Sequence, residues 1–269
     1  MTVRAVTFDM WLTLIWDKKE LDEYRKLRRI VNFHRLTKRM GSRGTLRDKI
    51  SYNSIRLAME KLSVQVSKEY KKGLDISPKT RGRMLFEILG VKFDLSEKES
   101  VYVEAGRTLS DSGYYKRYPH LNPEALPTLL KLKREFPGIK IGLVSNAARS
   151  AETYRRMFRS FGISSYFDHL TISSEVGYLK PRKEIFESAL HSLRVSPSEA
   201  IHVGDLFEAD VKGANSVGMH ALLYTGLWHK YSEYIHPQER IPENFKPKRG
   251  ITFAEISDLR EVVNRVKRL

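Results

Sequence analysis

Four short stretches of the chain set oxygen- and nitrogen-bearing side chains directly after apolar runs. Val3–Phe8 leads into Asp9, with Trp11 and Thr13 following. Leu143-Val144 leads into Ser145-Asn146, and Gly177-Tyr178-Leu179 into Lys180-Pro181. His202-Val203-Gly204 leads into Asp205, with Asp210 further along. Brought to one place, these residues supply a carboxylate nucleophile, a hydroxyl donor, an ammonium and a second pair of carboxylates. That set suits phosphoryl transfer. A phosphate monoester carries two negative charges and repels an attacking carboxylate; a divalent cation bridging carboxylates and phosphate removes the repulsion. Mg²⁺ takes hard oxygen ligands, often one or two carboxylates plus substrate oxygens. Lys180 supplies a fixed positive charge, and Ser145 with a backbone N–H supplies hydrogen bonds to equatorial oxygens. The carboxylate can then form an aspartyl-phosphate and split the reaction in two.

That convergence needs a parallel sheet. From Tyr118 onward strand and helix patterns alternate, which signals βαβ units. Strands are expected over Val3–Asp9, Ile139–Ser145, His169–Ser173, Ala200–Asp205 and Met219–Tyr224. Asn122-Pro123 reads as an N-cap and N1 pair opening a helix to about Phe136. Further helices are expected over Ser150–Phe161, Arg182–Leu193 and Asp210–Val217, and Phe253, Ile256, Leu259, Val263 and Val266 mark a terminal one. The expected core is therefore α/β, a doubly wound parallel sheet of about five strands with helices on both faces. Ligands in such sheets bind outside the carboxyl ends of the strands, where the four stretches end. His202 reads as a core or surface histidine, and Trp228–Pro247 as irregular, with Trp228–His236 a packed surface loop rather than a lip of the site.

Between Asp17 and about Arg117 the pattern is helical and free of strand alternation. Leu21, Tyr24, Leu27 and Val31 recur at helical spacing until Gly41-Ser42-Arg43-Gly44. Thr45, with Asp48 three residues on, reads as the cap of a second helix ended by Lys71-Lys72-Gly73. Two more helices are expected over Arg83–Leu89 and Ser96–Leu109, the latter with a Ser96/Glu99 capping box. Ser110–Gly113 reads as a linker. The chain thus divides into a core of 1–16 and 117–269 and an inserted all-helical domain of 17–116.

Hydrophobic residues make up 41% of the 269, with three Trp, enough for a sizeable core. There is no long apolar run, so no membrane span is expected. No charged-then-apolar leader precedes the first strand, so a cytoplasmic location is expected. The absence of Cys excludes disulfides, thiolate nucleophiles and Cys-ligated metals. Only two Gln and 30% charged residues lean towards a thermophile-like composition. Net charge is +16, and Asp17–Arg83 holds 20 Lys and Arg against 8 Asp and Glu. This basic excess fits solvated helix faces, attraction of a phosphorylated substrate or, as the lesser alternative, nucleic acid, for which no motif spacing appears. Either a monomer or a homodimer is compatible.

Taken together the motifs resemble the haloacid dehalogenase (HAD) superfamily of hydrolases, in the right order over about 1–16 and 117–225. The resemblance implies Asp9 as nucleophile and metal ligand, Ser145 and Asn146 as phosphate-binding residues, and Lys180 as the charge-balancing lysine. It also implies Asp205 as a metal-ligating acid with Asp210 the second acid, Mg²⁺ as cofactor, and 17–116 as a helical cap over the site. The Trp11 position supplies a backbone carbonyl to the metal and, in most phosphatases of the family, an Asp that acts as general acid/base. Trp11 keeps the carbonyl and loses the acid, a role worth ~10²–10⁴ in rate. Water, His202 or a cap residue is left to supply protons, or the substrate has a good leaving group. The intact Gly204-Asp205 with Asp210 favours a phosphatase acting on a small phosphorylated metabolite. The alternatives are a 2-haloacid dehalogenase, a phosphonate hydrolase, for which none of the ten lysines between Asp17 and Arg83 stands out, and a weakly active or non-catalytic binding protein.

Overall fold

The computed structural model describes residues 2–17, 22–46, 49–93, 98–110, 119–227 and 251–269. Its elements run β1 (Ala5–Phe8), β2 (Ile15–Trp16), α1 (Asp22–Ser42), α2 (Tyr52–Lys71), α3 (Pro78–Ile88), α4 (Lys98–Ser110), β3 (His120–Leu121), α5 (Ala125–Glu135), β4 (Lys140–Ser145) and α6 (Ala151–Ser160). They continue with β5 (His169–Ile172), α7 (Ser173–Val176), α8 (Lys183–Leu193), β6 (Ala200–Gly204), a π-helical turn (Phe207–Lys212), α9 (Gly213–Ser216), β7 (His220–Tyr224), β8 (Phe253–Ile256) and α10 (Glu261–Arg268). Two compact units result, one of residues 1–17, 119–146 and 151–269, the other of 18–118 with 147–150.

The first unit is built on a six-stranded parallel sheet, ordered β5-β4-β1-β6-β7-β8. The chain winds outward from β1 through β4 and β5, then returns to β1's other edge and winds outward again. That reversal makes β1/β6 the switch point, where doubly wound sheets open a crevice. β1 and β6 are buried along their whole length, as strands covered on both faces must be. The register sets Phe8 beside both Leu143 and Val203, so β1, β4 and β6 end level on one rim. On one face α8 buries Ile185, Phe186, Leu190 and Leu193 in a cluster with Val144, Ala200 and Leu223. Each large apolar side chain so buried contributes roughly 1.5–3 kcal/mol.

The second unit has its own core, in which Phe33, Leu36, Ile55, Leu85, Phe86 and Ala105 are buried together. α3 and α4 pack at backbone distance: a Cβ at Gly106 would meet the Pro78 carbonyl oxygen at 2.1 Å. Among the described residues no helix is long and apolar enough to cross a membrane.

Several boundaries differ from the sequence reading. The sheet has six strands because Phe253–Ile256 is β8, paired with β7, and only Glu261–Arg268 is helical. β2 and β3 form a two-stranded antiparallel pair that the reading missed. α2 starts at Tyr52, with Ser51 accepting the Ser54 N–H, and not at Thr45. α3 starts at Pro78, capped by Ser77. Asn122 still caps α5, accepting the Glu124 N–H, although the helix proper begins at Ala125. The Ser96 capping residue, the 111–113 part of the linker and the 228–247 loop lie outside the described residues.

Candidate active site

Asp9 leaves the end of β1 with its N–H donated to the Val203 carbonyl, 2.8 Å away, so the residue is tied to β6. A tight turn follows. The N–H groups of Leu14 and Ile15 both donate to the Met10 carbonyl, and Leu12 takes a left-handed φ of 55°. Trp11 sits half-buried in this turn, bridged to Ile15. Asp9 itself is 7% exposed.

Lys180 comes from the loop between α7 and α8, and Asn146, one residue past β4, clamps its backbone. The Lys180 N–H donates to Asn146 Oδ1 at 2.7 Å, and Asn146 Nδ2 donates to the Lys180 carbonyl at 3.1 Å. The following Lys180-Pro181 bond is cis. Held in this way, Lys180 Nζ stands 2.5 Å from Asp9 Oδ1 and 2.6 Å from Asp210 Oδ1. Asn146 therefore acts on the Lys180 backbone in this structure, in addition to the phosphate-binding place the resemblance gives it.

Asp210 reaches back from the π-helical turn after β6. Its Oδ2 accepts the Leu206 N–H at 2.9 Å, and its Oδ1 also lies 2.9 Å from His202 Nε2. The carboxylate packs directly on Gly204, where an added Cβ would meet Asp210 Cγ at 2.2 Å. Only glycine fits there. This explains the Gly204-Asp205…Asp210 spacing in packing terms. π-helical turns are rare and recur at functional sites.

The charges are unevenly compensated. Burial alone would lower the Lys180 pKa, but the Asp210 and Asp9 carboxylates outweigh it and hold the ammonium above the usual lysine range. Burial would raise Asp210, yet Lys180 and His202 hold its carboxyl well below the usual value. Asp9 is raised, mainly by burial, against the pull of Lys180. Asp205, 2% exposed, is raised furthest, by burial and then by the Asp9 and Asp210 charges. Ser145 Oγ is buried with no hydrogen-bond partner among the described residues. A buried hydroxyl of this kind normally has a partner, and an anionic oxygen would supply one.

Two features bear on a metal. The donors are hard carboxylate oxygens, and Asp205 is raised first by burial and then by the neighbouring Asp9 and Asp210 charges, costs that a bound cation would offset. Among the described residues no three His, Asp or Glu side chains stand as a ready ligand set. Carboxylates such as Asp9 and Asp205 are donors of the kind taken by a cation that keeps waters and substrate oxygens in its shell, as Mg²⁺ does. Asp210 has both oxygens engaged by Lys180, His202 and Leu206 N–H.

The sheet thus brings together Asp9, Ser145, Asn146, Lys180, Asp205 and Asp210, all on the rim where β1, β4 and β6 end, with Trp11 in the adjoining turn. Sequence reasoning missed Thr7 and the partnership of His202. Their pairing is visible only in the β1/β6 register, which sets Thr7 beside His202.

Comparison with known proteins identifies the family. The chain is 39% identical over 106 residues to a glyceraldehyde 3-phosphate phosphatase of Methanopyrus kandleri, covering 39% of this chain and 42% of the relative. It is 32% identical over 143 residues to a protein of the same name from Pyrococcus furiosus, covering 53% and 54%. The matches span about half the length of these relatives or less. In fold it is similar to a 2-haloacid dehalogenase from Pseudomonas syringae, with a TM-score of 0.59 over 99% of both chains at 21% identity. The sequence model of the haloacid dehalogenase-like hydrolases matches residues 3–218, from just before β1 to the turn before β7. Because that model matches most of its length, the chain belongs to the haloacid dehalogenase-like hydrolase family.

Proposed function

We propose that the chain is a Mg²⁺-dependent phosphohydrolase that cleaves a small phosphate monoester through an aspartyl-phosphate on Asp9. The carrying observation is Lys180 Nζ, held 2.5 Å from Asp9 Oδ1; Ser145, at the end of β4, has a buried hydroxyl without a hydrogen-bond partner among the described residues. Two relatives named glyceraldehyde 3-phosphate phosphatase support a small phosphorylated metabolite as substrate. Bound by Asp9, Asp205 and the Trp11 carbonyl, Mg²⁺ supplies charge neutralisation that lets one anion approach another.

The protein's own groups do the rest. Asp9 attacks phosphorus, and the bond from phosphorus to the leaving oxygen breaks. The Lys180 ammonium and the Ser145 hydroxyl stabilise charge on the equatorial oxygens. Water then attacks the same phosphorus, the bond to Asp9 breaks, and inorganic phosphate leaves. Trp11 has no proton to give, so the leaving alkoxide takes its proton from water. The reaction therefore favours substrates whose leaving groups are weak bases.

Release of p-nitrophenol from p-nitrophenyl phosphate, with Mg²⁺ and with a chelator, tests this reading. Metal-dependent release supports it. No release from this substrate or from a panel of phosphometabolites contradicts it, and chloride release from a 2-haloacid without metal replaces it with carbon–halogen hydrolysis.

A further inference from the structure

Thr7, His202 and Asp210 form a buried file of polar groups that ends on Lys180, and the proposed reaction makes no direct use of the first two. Thr7 and His202 are neighbours in the β1/β6 register. Thr7 Oγ1 lies 2.9 Å from His202 Nδ1, and His202 Nε2 lies 2.9 Å from Asp210 Oδ1. The same oxygen is 2.6 Å from Lys180 Nζ. Thr7 and His202 are wholly buried, and the edge of the imidazole is closed by Phe186, T-shaped at 5.1 Å.

These distances fix the protons. An ionised Asp210 only accepts hydrogen bonds, so Nε2 carries the ring proton and donates it. Burial lowers the His202 pKa and keeps the ring neutral, so Nδ1 is an acceptor and the Thr7 hydroxyl is the donor that faces it. The other acceptor near Thr7 Oγ1, the Ile201 carbonyl, is more distant at 3.4 Å. Asp210 Oδ2 is held separately by the Leu206 N–H. Each Asp210 oxygen thereby has a partner other than Lys180. An apolar side chain at position 202 would fill the same space and leave Oδ1 held by Lys180 alone.

We infer that His202, oriented by Thr7, is a positioning residue. It holds the Asp210 carboxylate so that the Lys180 ammonium is set against Asp9. The consequence for rate rests on the proposed phosphohydrolase reading; the consequence for Lys180 does not.

Two measurements on the full chain separate them. In ¹⁵N–¹H spectra of the lysine ammonium groups, the Lys180 signal is identified by its loss in Lys180→Met. It should shift or broaden in His202→Leu and return towards the wild-type position in His202→Gln, whose amide N–H can reach Asp210. In phosphate release, His202→Leu should lower kcat about 10-fold, the size typical of residues that orient a working group. KM should change less than about twofold, since binding is spared, and His202→Gln should recover most of the loss. Thr7→Val, nearly isosteric, should move both readouts in the same direction by less, and it carries the test if His202→Leu does not fold. A Lys180 signal and a kcat both unmoved by these variants would overturn the inference. A wild type that releases no phosphate removes the phosphohydrolase reading, while the ammonium spectrum still decides the positioning role.

Discussion

Lys180 Nζ stands 2.5 Å from Asp9 Oδ1, with both groups almost fully buried at the switch point of the sheet. The ammonium is what allows Asp9, Asp205 and Asp210 to share that space. Lys180→Met removes it and leaves three buried carboxylates. Breaking such a pair costs about 3–5 kcal/mol. Urea unfolding at pH 7 should show a loss of that order, shrinking in mild acid as the carboxylates protonate. Turnover should fall by at least about 10² through lost charge stabilisation.

Ser145 makes a contrasting case. Its hydroxyl bonds to nothing in the described protein, so Ser145→Ala, which removes an unsatisfied buried polar group, should leave stability unchanged or raise it. The same substitution should lower kcat/KM by about 10² if the hydroxyl meets a phosphate oxygen. Paired unfolding and steady-state measurements check the two halves of this prediction.

On the proposed reading, Trp11 leaves the leaving group without a side-chain acid. Across a series of aryl phosphates the rate should fall steeply as the leaving-group pKa rises. Trp11→Asp should flatten that slope and raise the rate on alkyl phosphates by up to about 10². A flat slope in the wild type would mean that another residue supplies the proton.

Asp168 is a pH-dependent tie remote from this chemistry. Its Oδ2 accepts from Lys133 Nζ at 2.7 Å and from the Ile141 N–H at 2.8 Å. Burial alone would raise its carboxyl, but Lys133, the Ile141 N–H and Lys140 hold it below the usual value. Its stabilisation is therefore complete above the unfolded carboxyl pKa, near ~3.9, and is lost as pH falls through the lower folded value. Asp168→Asn should destabilise the protein by about 1 kcal/mol at pH 7, as expected for a partly exposed ion pair with a backbone bond. Denaturant curves of the two proteins should converge in strong acid.

Much of the site is legible in the sequence because strands that end level deliver their next residues to one rim. Asp9, Ser145 and Asp205 each follow an apolar run, and the run itself locates them. The partnership of His202 is different. A strand buried on both faces has no apolar–polar alternation, so nothing local says which neighbour a central side chain meets. Only the pairing of β6 with β1 brings Thr7 to it. β8 was hidden for another reason: Phe253, Ile256, Leu259, Val263 and Val266 fit one helical spacing. The strand is fixed by its partner, with Thr225 N–H donating to the Ile256 carbonyl at 2.9 Å. At α3 the Ser77-Pro78 signal was present, and the later apolar spacing drew the boundary too far along the chain.

The most direct measurement is of Asp9 itself. Acid-quenched enzyme in steady-state turnover should carry one phosphoryl group on the peptide that contains Asp9, detected by mass spectrometry. Asp9→Asn, folded as the wild type, should carry none and release no phosphate. An unmodified Asp9 peptide during full turnover, together with an Asp9→Asn variant that keeps its rate, would contradict the account.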